Sequence, residues 1–217
     1  MILPEHEAYR IGREALLNAF NHSSERIELE LEYCEGAIMT EEGGERITLP
    51  IPVNDHDHVM GPLNASVVVV NYGDYECPDC RKRHREVDKL IEELRDTVRF
   101  VYRHFPLVNV HPNALRAAEA AEAAGAQDKF WEMHRLLYLY PDKLEQRDLH
   151  KHANQIGLDV ERFDHEMASS AYADQILKDR YFSLIHGITG TPTTFINDVR
   201  YAMSGDELIT TIRRIAK

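Results

Sequence analysis

The stretch Val67-Val68-Val69-Val70-Asn71-Tyr72-Gly73-Asp74-Tyr75-Glu76-Cys77-Pro78-Asp79-Cys80 decides how the rest of the chain is read. Four consecutive valines without polar alternation predict a strand covered on both faces, as in an α/β sheet. Pro78 marks the start of a helix, because the first helical position needs no N–H and the fixed φ of proline already suits it. Val87, Leu90, Ile91 and Leu94 follow at helical spacing and supply a buried stripe. Val98 to Arg103 is the next strand. The segment therefore reads as a parallel β-α-β unit with a cysteine pair at its first strand-to-helix turn.

On a helix, residues three apart have Cβ atoms ~5 to 6 Å apart, near enough for Cys77 and Cys80 to form a disulfide with small adjustment. Cys77 falls at the helix start, where unpaired N–H groups and the positive end of the dipole favour a thiolate. Cys80 continues into the buried Val87/Ile91 face. These positions make Cys77 the attacking thiol and Cys80 the resolving one. The residues leave a second arrangement open, half a zinc site made of Cys77, Cys80 and His84 with a fourth ligand from Cys34, His56 or His58. It lacks the second paired cluster that zinc fingers carry, and the His56/His58 and His150/His152 pairs read as surface histidines. No metal and no cofactor are expected.

The chain has 217 residues, 43% of them hydrophobic, which is enough for a buried core. Its 25 basic and 37 acidic side chains leave a net charge of −12, which repels nucleic acid and anionic membranes. No apolar run is long enough to span a bilayer, and the first thirty residues are rich in glutamate and lack a secretory apolar region. Only three cysteines occur, so a secreted disulfide scaffold is excluded. The expectation is a cytoplasmic protein with no nucleic-acid or membrane partner. The oligomeric state is not readable from these features.

Acidic side chains outnumber basic ones thirteen to four in residues 1–60, which places a boundary near Gly61-Pro62. Within 1–60, Glu5 to Phe20 predicts a helix. The strict alternation of Ile27 to Tyr33 predicts a half-exposed strand that Gly43-Gly44 turns toward a second strand, Arg46 to Val53. Residues 61–217 form the main domain, in which 111–187 read as helices throughout, broken at Gly125, Pro141 and Gly157. Thr193 to Ile196 and Arg200 to Met203 predict a hairpin about Asn197-Asp198. Ser204 and Glu207 make a capping box for a last helix. Phe130 and Trp131 read as core of the helical block or as lining of a groove, and Cys34 as a small buried residue or a third redox thiol.

Several of these segments together resemble the DsbA-like branch of the thioredoxin superfamily. They are Asn71 to Glu76 with the Cys-Pro-Asp-Cys motif, Arg103-His104-Phe105-Pro106-Leu107 followed by His111-Pro112, Phe130-Trp131, and Gly190-Thr191-Pro192-Thr193. The resemblance covers residues 61–217. It implies a thioredoxin-like α/β fold with a helical insertion at about 111–187, here preceded by an N-terminal helix and hairpin extension. It also implies a cis Thr191–Pro192 peptide bond facing the cysteine pair, where proline offers no N–H to compete with an extended substrate and the Thr191 backbone can pair with a peptide strand.

The implied activity is thiol–disulfide exchange with protein, peptide or small thiols and disulfides, with glutathione or a thioredoxin-type reductant as recycling partner. Cys77, Cys80, Thr191 and Pro192 are the expected catalytic residues, and Asn71, Glu76, Asp79 and His84 the expected tuning groups. Two departures bear on the chemistry. Asn71 stands where relatives often carry a buried acid, so it cannot take the proton of the resolving thiol. His84 is then either the acceptor or a solvated histidine at the helix rim. Asp79 stands where strongly oxidising members have histidine. Its anion opposes the Cys77 thiolate and favours a reductase or isomerase, although Arg81, Lys82, Arg83 and Arg85 push the other way. A non-catalytic interaction module that keeps the fold is the competing class.

Overall fold

The computed structural model describes residues 48–201 and 205–216. The helix expected at Glu5–Phe20, the strand at Ile27–Tyr33, the Gly43-Gly44 turn, Cys34 and Ser204 lie outside the described residues. The chain divides into two compact units between Arg46 and Ile47, and all of the described residues belong to the second.

Five strands form one sheet in the order β1-β3-β2-β4-β5. They are β1 (His58–Met60), β2 (Val67–Gly73), β3 (Val98–His104), β4 (Thr193–Ile196) and β5 (Val199–Tyr201). β2 and β3 are parallel, in register from Val67 opposite Val98 to Gly73 opposite His104, and α1 (Pro78–Glu93) connects them. The expected β-α-β unit is therefore present. The valine run is buried because both faces are covered. Val67 and Val69 join Val98, Phe100 and Tyr102 in the larger core, while Val70 and Tyr72 join Val101, Phe105 and Phe195 on the opposite face. This period-two alternation puts Asn71 and Gly73 on the side of the larger core, which α1 also faces through Cys80, Val87, Leu90 and Ile91.

Five helices lie between β3 and β4, as expected: α2 (Ala114–Gly125), α3 (Phe130–Leu139), α4 (Gln146–Gln155), α5 (Val160–Ala168) and α6 (Ala173–Ile185). α2 is central to this insertion, and its alanines 117, 118, 120, 121, 123 and 124 are buried, since a methyl side chain lets neighbouring elements approach closely. Asn197 and Asp198 have φ of 45° and 66°, the two left-handed residues that a tight hairpin between β4 and β5 requires. α7 (Gly205–Ile215) ends the chain, with Leu208 and Ile212 in the larger core.

Two expectations are corrected. Arg46–Val53 is not a strand in its described part: Thr48 makes one isolated antiparallel bridge to Val199, and Pro50 and Pro52 have no N–H with which to extend it. The boundary near Gly61 also falls too late, because His58–Met60 is the edge strand paired with β3. Arg103 fixes this preceding segment to the sheet. Its guanidinium binds both oxygens of Asp57 at 2.7 and 2.8 Å, the carbonyls of Ile51 and Pro52 at 2.8 and 3.0 Å, and the Tyr72 hydroxyl at 2.8 Å. A planar fork satisfied on every side is the form in which a buried arginine is tolerated.

Candidate active site

β2 delivers the chain to the loop Asp74-Tyr75-Glu76, and Cys77 is the residue that caps α1, with extended backbone (φ −74°, ψ 122°). The cap makes no side-chain hydrogen bond of its own, so the first N–H groups of the helix are free to face the Cys77 sulfur. Cys77 and Cys80 are both buried free thiols. The Thr191–Pro192 peptide bond is cis, and the Thr191 carbonyl oxygen lies 3.7 Å from Cys77 Sγ. Chain segments 114 residues apart thus meet at one sulfur.

The two thiols are strongly differentiated. The S–H of Cys80 donates to the Cys77 sulfur and outweighs the opposing effect of burial. The N–H groups of Cys80 and Asp79 and the side chain of Thr191 add to it, and the Cys77 thiol is pulled down to about 6. Burial pushes the Cys80 thiol far up, and the neighbouring Cys77 pushes it further, while the backbone N–H of Asp74 opposes both. Asp79 is exposed. The sequence expectation that its carboxylate decides the Cys77 balance is corrected here: the donors at the helix start win.

The remaining residues expected to tune the pair fall in distinct places. Asn71 is buried and accepts a hydrogen bond from Thr194 Oγ1 at 2.9 Å, its register partner on β4. Glu76 accepts from the backbone N–H and the side-chain amide of Asn113 at 2.7 and 3.1 Å, so it ties the cysteine loop to the start of α2. His84 is neither solvated nor a strong base. It stacks on Tyr138 at 4.6 Å and meets His134 edge-on at 4.9 Å, and burial holds it down at about 4, with Arg135 and Arg85 adding to the effect and Asp88 opposing it. Arg83, half-buried, is the member of the basic cluster within electrostatic reach of Cys80.

Sequence reasoning assigns no role to Asp74 or His111, and the structure gives both one. Asp74 has no exposed side-chain surface, and it accepts from the N–H groups of Glu76 and Leu107 and from His111 Nδ1, each at 2.8 Å. Burial lowers the His111 pKa, but the bond to Asp74 and its charge prevail and raise it, with Cys77 and Glu76 within electrostatic reach. A second unforeseen feature is the aromatic wall behind Cys80. Tyr102 and Tyr138 join hydroxyls at 3.0 Å, and Tyr75 bonds to His134 Nδ1 at 2.9 Å. Gly73 makes room for it, since a Cβ there would lie 2.8 Å from both the Tyr102 and Tyr138 hydroxyls. Phe130 and Trp131 belong to the core on the β1 and β3 side: Phe130 stacks on His58 at 3.4 Å, and Trp131 donates to the Val59 carbonyl at 3.2 Å.

The thioredoxin family profile matches residues 53–214. The chain belongs to the thioredoxin family. Within that family its fold is DsbA-like. Oxidised BdbD from Bacillus subtilis superposes with a TM-score of 0.68 at 24% identity, covering 80% of this chain and 99% of that one. A thioredoxin-like oxidoreductase from Silicibacter pomeroyi gives 0.64 at 28% identity, covering 74% and 92%. The thiol-disulfide exchange protein alpha-DsbA2 from Wolbachia pipientis gives 0.64 at 22%, covering 75% and 88%. Curated relatives of this thioredoxin-family chain include the Na(+)/H(+) antiporter NhaA 3 of Salinispora tropica, 44% identical over 156 residues, and NhaA 1 of Mycobacterium sp. strain KMS, 39% identical over 158. Each match covers 71% of this chain, which spans about a quarter of the relatives' length, 24% and 26% respectively. Among the described residues no helix is long and apolar enough to cross a membrane.

Proposed function

We propose that this protein is a thiol–disulfide oxidoreductase whose Cys77 thiolate exchanges with disulfides of protein or peptide substrates. The observation that carries this reading is the position of Cys77: a capping residue whose sulfur meets the Cys80 thiol, the first helix N–H groups and the Thr191 segment together. At neutral pH such a sulfur is largely thiolate, the form that attacks.

The electrons balance in two steps. Cys77–S⁻ attacks one sulfur of R–S–S–R′, forming the Cys77–S–S–R bond and releasing R′–S⁻. Cys80 then loses its proton and attacks the Cys77 sulfur, forming the Cys77–Cys80 disulfide and releasing R–S⁻. Two electrons pass from the dithiol to the substrate, and the proton of Cys80 goes to a leaving thiolate. Asn71 is an amide engaged by Thr194, and His84 is too weak a base for that proton. Forming the mixed disulfide consumes the Cys77 anion that helps to hold the Cys80 proton in place. The Asp74 N–H stays to receive the Cys80 thiolate, so the first step eases the second. Thr191 and Pro192 align an extended substrate across Cys77, the Thr191 backbone supplying the pairing groups.

Reduction or isomerisation is the direction we favour, with glutathione or a thioredoxin-type dithiol returning the electrons. The sparse cysteine content supports a cytoplasmic setting. Substrate trapping tests the reading. Incubated with a peptide disulfide, Cys80→Ser should accumulate a covalent mixed disulfide through Cys77, and Cys77→Ser almost none. Abundant adducts on Cys77→Ser, or none on Cys80→Ser, would overturn the assigned roles.

A further inference from the structure

We propose that His58, His104 and Glu122 form a binding site for one divalent transition-metal ion of the zinc class, separate from the cysteine pair. The three residues come from β1, β3 and α2, and their ligand atoms all lie within 4.8 Å of one another. His58 Nε2 and His104 Nε2 converge on the same carboxylate oxygen, Glu122 Oε1, at 2.8 and 2.9 Å. The His104 side chain is only 7% exposed, and its Nε2 meets Glu122 outside good hydrogen-bond geometry while its Nδ1 has no hydrogen-bond partner. A buried imidazole left in this way is costly, and native interiors rarely retain one. A cation seated between the three groups would replace the poorly aligned Nε2 contact with a directed bond from the Nε2 lone pair.

The donor set selects the ion. Two imidazoles and one carboxylate suit zinc and its late first-row neighbours, whereas calcium and magnesium take oxygen ligands. Two histidines and a glutamate also match open zinc sites, in which water completes four ligands. Zinc bonds of ~2.0 to 2.2 Å in tetrahedral geometry set ligand atoms about 3.3 Å apart. The two carboxylate contacts must therefore open by roughly half an ångström, within reach of a small carboxylate rotation, while the two imidazole nitrogens, which lie within 4.8 Å of each other, settle at the same spacing. The ion would clip the edge strand β1 to the helical insertion across β3. His58 is already held for this by its stack on Phe130, and its Cε1 faces Gly125 so closely that an added Cβ there would lie 3.4 Å away. The reading of His56/His58 as a surface pair is thus replaced for His58, whose side chain is 24% exposed and engaged.

The test uses the full chain with Cys77–Cys80 oxidised and Cys34 alkylated, so that no thiol can bind metal. Zn²⁺ is titrated in competition with a chromophoric chelator, and thermal unfolding is followed with and without it. The expected result is one equivalent bound and a melting temperature raised by several degrees. Glu122→Gln and His58→Gln should weaken binding on the order of 100-fold or more, since loss of a ligand exceeds the ~10- to 100-fold cost of losing an outer partner. His150→Gln, at an exposed histidine paired with Asp164, should bind like the parent. If Glu122→Gln does not fold, His58→Gln, at the partly exposed edge strand, decides. Absence of stoichiometric zinc binding, or undiminished affinity in folded His58→Gln, would overturn the site.

Discussion

His111 donates its Nδ1–H to Asp74 Oδ2 at 2.8 Å, and the Asp74 side chain has no exposed surface. The pair joins the loop after β3 to the loop that carries Cys77, the proposed nucleophile, and it sets an imidazole with a raised pKa within electrostatic reach of that sulfur. A cation held there favours the thiolate. His111→Ala should slow alkylation of Cys77 at pH 6 by roughly 3-fold. His111→Gln, which can still donate to Asp74, should slow it equally, because the lost element is charge. Unchanged rates in both variants would mean that His111 does not act on the thiolate.

The ionisation of Cys77 also fixes how the redox potential depends on pH. Below about pH 6 reduction binds two protons per two electrons, and above it one, because Cys80 keeps its proton. Each proton is worth ~30 mV per pH unit for this couple. The potential should therefore fall by ~59 mV per unit below pH 6 and by ~30 mV per unit above it. Stability is linked to the same ionisation: a depressed native pKa stabilises the reduced fold above the unfolded value and loses that effect as pH falls through 6. Relative to the oxidised protein, the reduced protein should gain stability between about pH 6 and 9. A potential with one slope from about pH 5 to 8.5 would contradict this.

Asp79, though exposed, lies in the first turn of α1, where a carboxylate opposes a nearby thiolate. The wild-type potential is expected between roughly −180 and −270 mV, and because the helix-start donors outweigh this exposed carboxylate, Asp79→His should raise it by no more than about 30 mV, equal to about 1.4 kcal/mol. Equilibration with glutathione buffers measures both. A parent value near ~−120 mV would contradict the expected range, and a rise well beyond about 30 mV on substitution would show that this carboxylate outweighs the helix-start donors.

Gly73→Ala drives a methyl into the Tyr102–Tyr138 hydroxyl pair. Overpacking of this kind costs ~1 to 3 kcal/mol, to be read from urea unfolding. Adding Tyr138→Phe should recover part of the loss by removing one of the two crowded oxygens. A Gly73→Ala protein as stable as the parent would mean that the wall yields freely.

Much of this architecture was legible in local sequence. The valine run, Pro78, the insertion helices and Asn197-Asp198 each carry their signal within a few residues, because strand burial, helix starts and tight turns are set locally. The cysteine pair was legible for the same reason, whereas the Gly-Thr-Pro-Thr segment was read only through its resemblance to the family. What escaped depends on partners far apart in the chain. His111 meets Asp74 across 37 residues, Arg103 meets Asp57 across 46, and His58 meets Glu122 across 64. The balance at Cys77 escaped for a different reason: the sequence shows which charges are near and that the helix N–H groups favour a thiolate, but not that the Cys80 thiol also points at the sulfur and outweighs burial.

The most direct measurement is the pH dependence of alkylation in the fully reduced protein, with each cysteine quantified by peptide mapping. Cys77 is predicted to react with a midpoint of about 6, while Cys80 stays unlabelled across the range. A Cys77 midpoint near the ordinary thiol value of ~8.5, or labelling of Cys80 as fast as Cys77, would contradict the account.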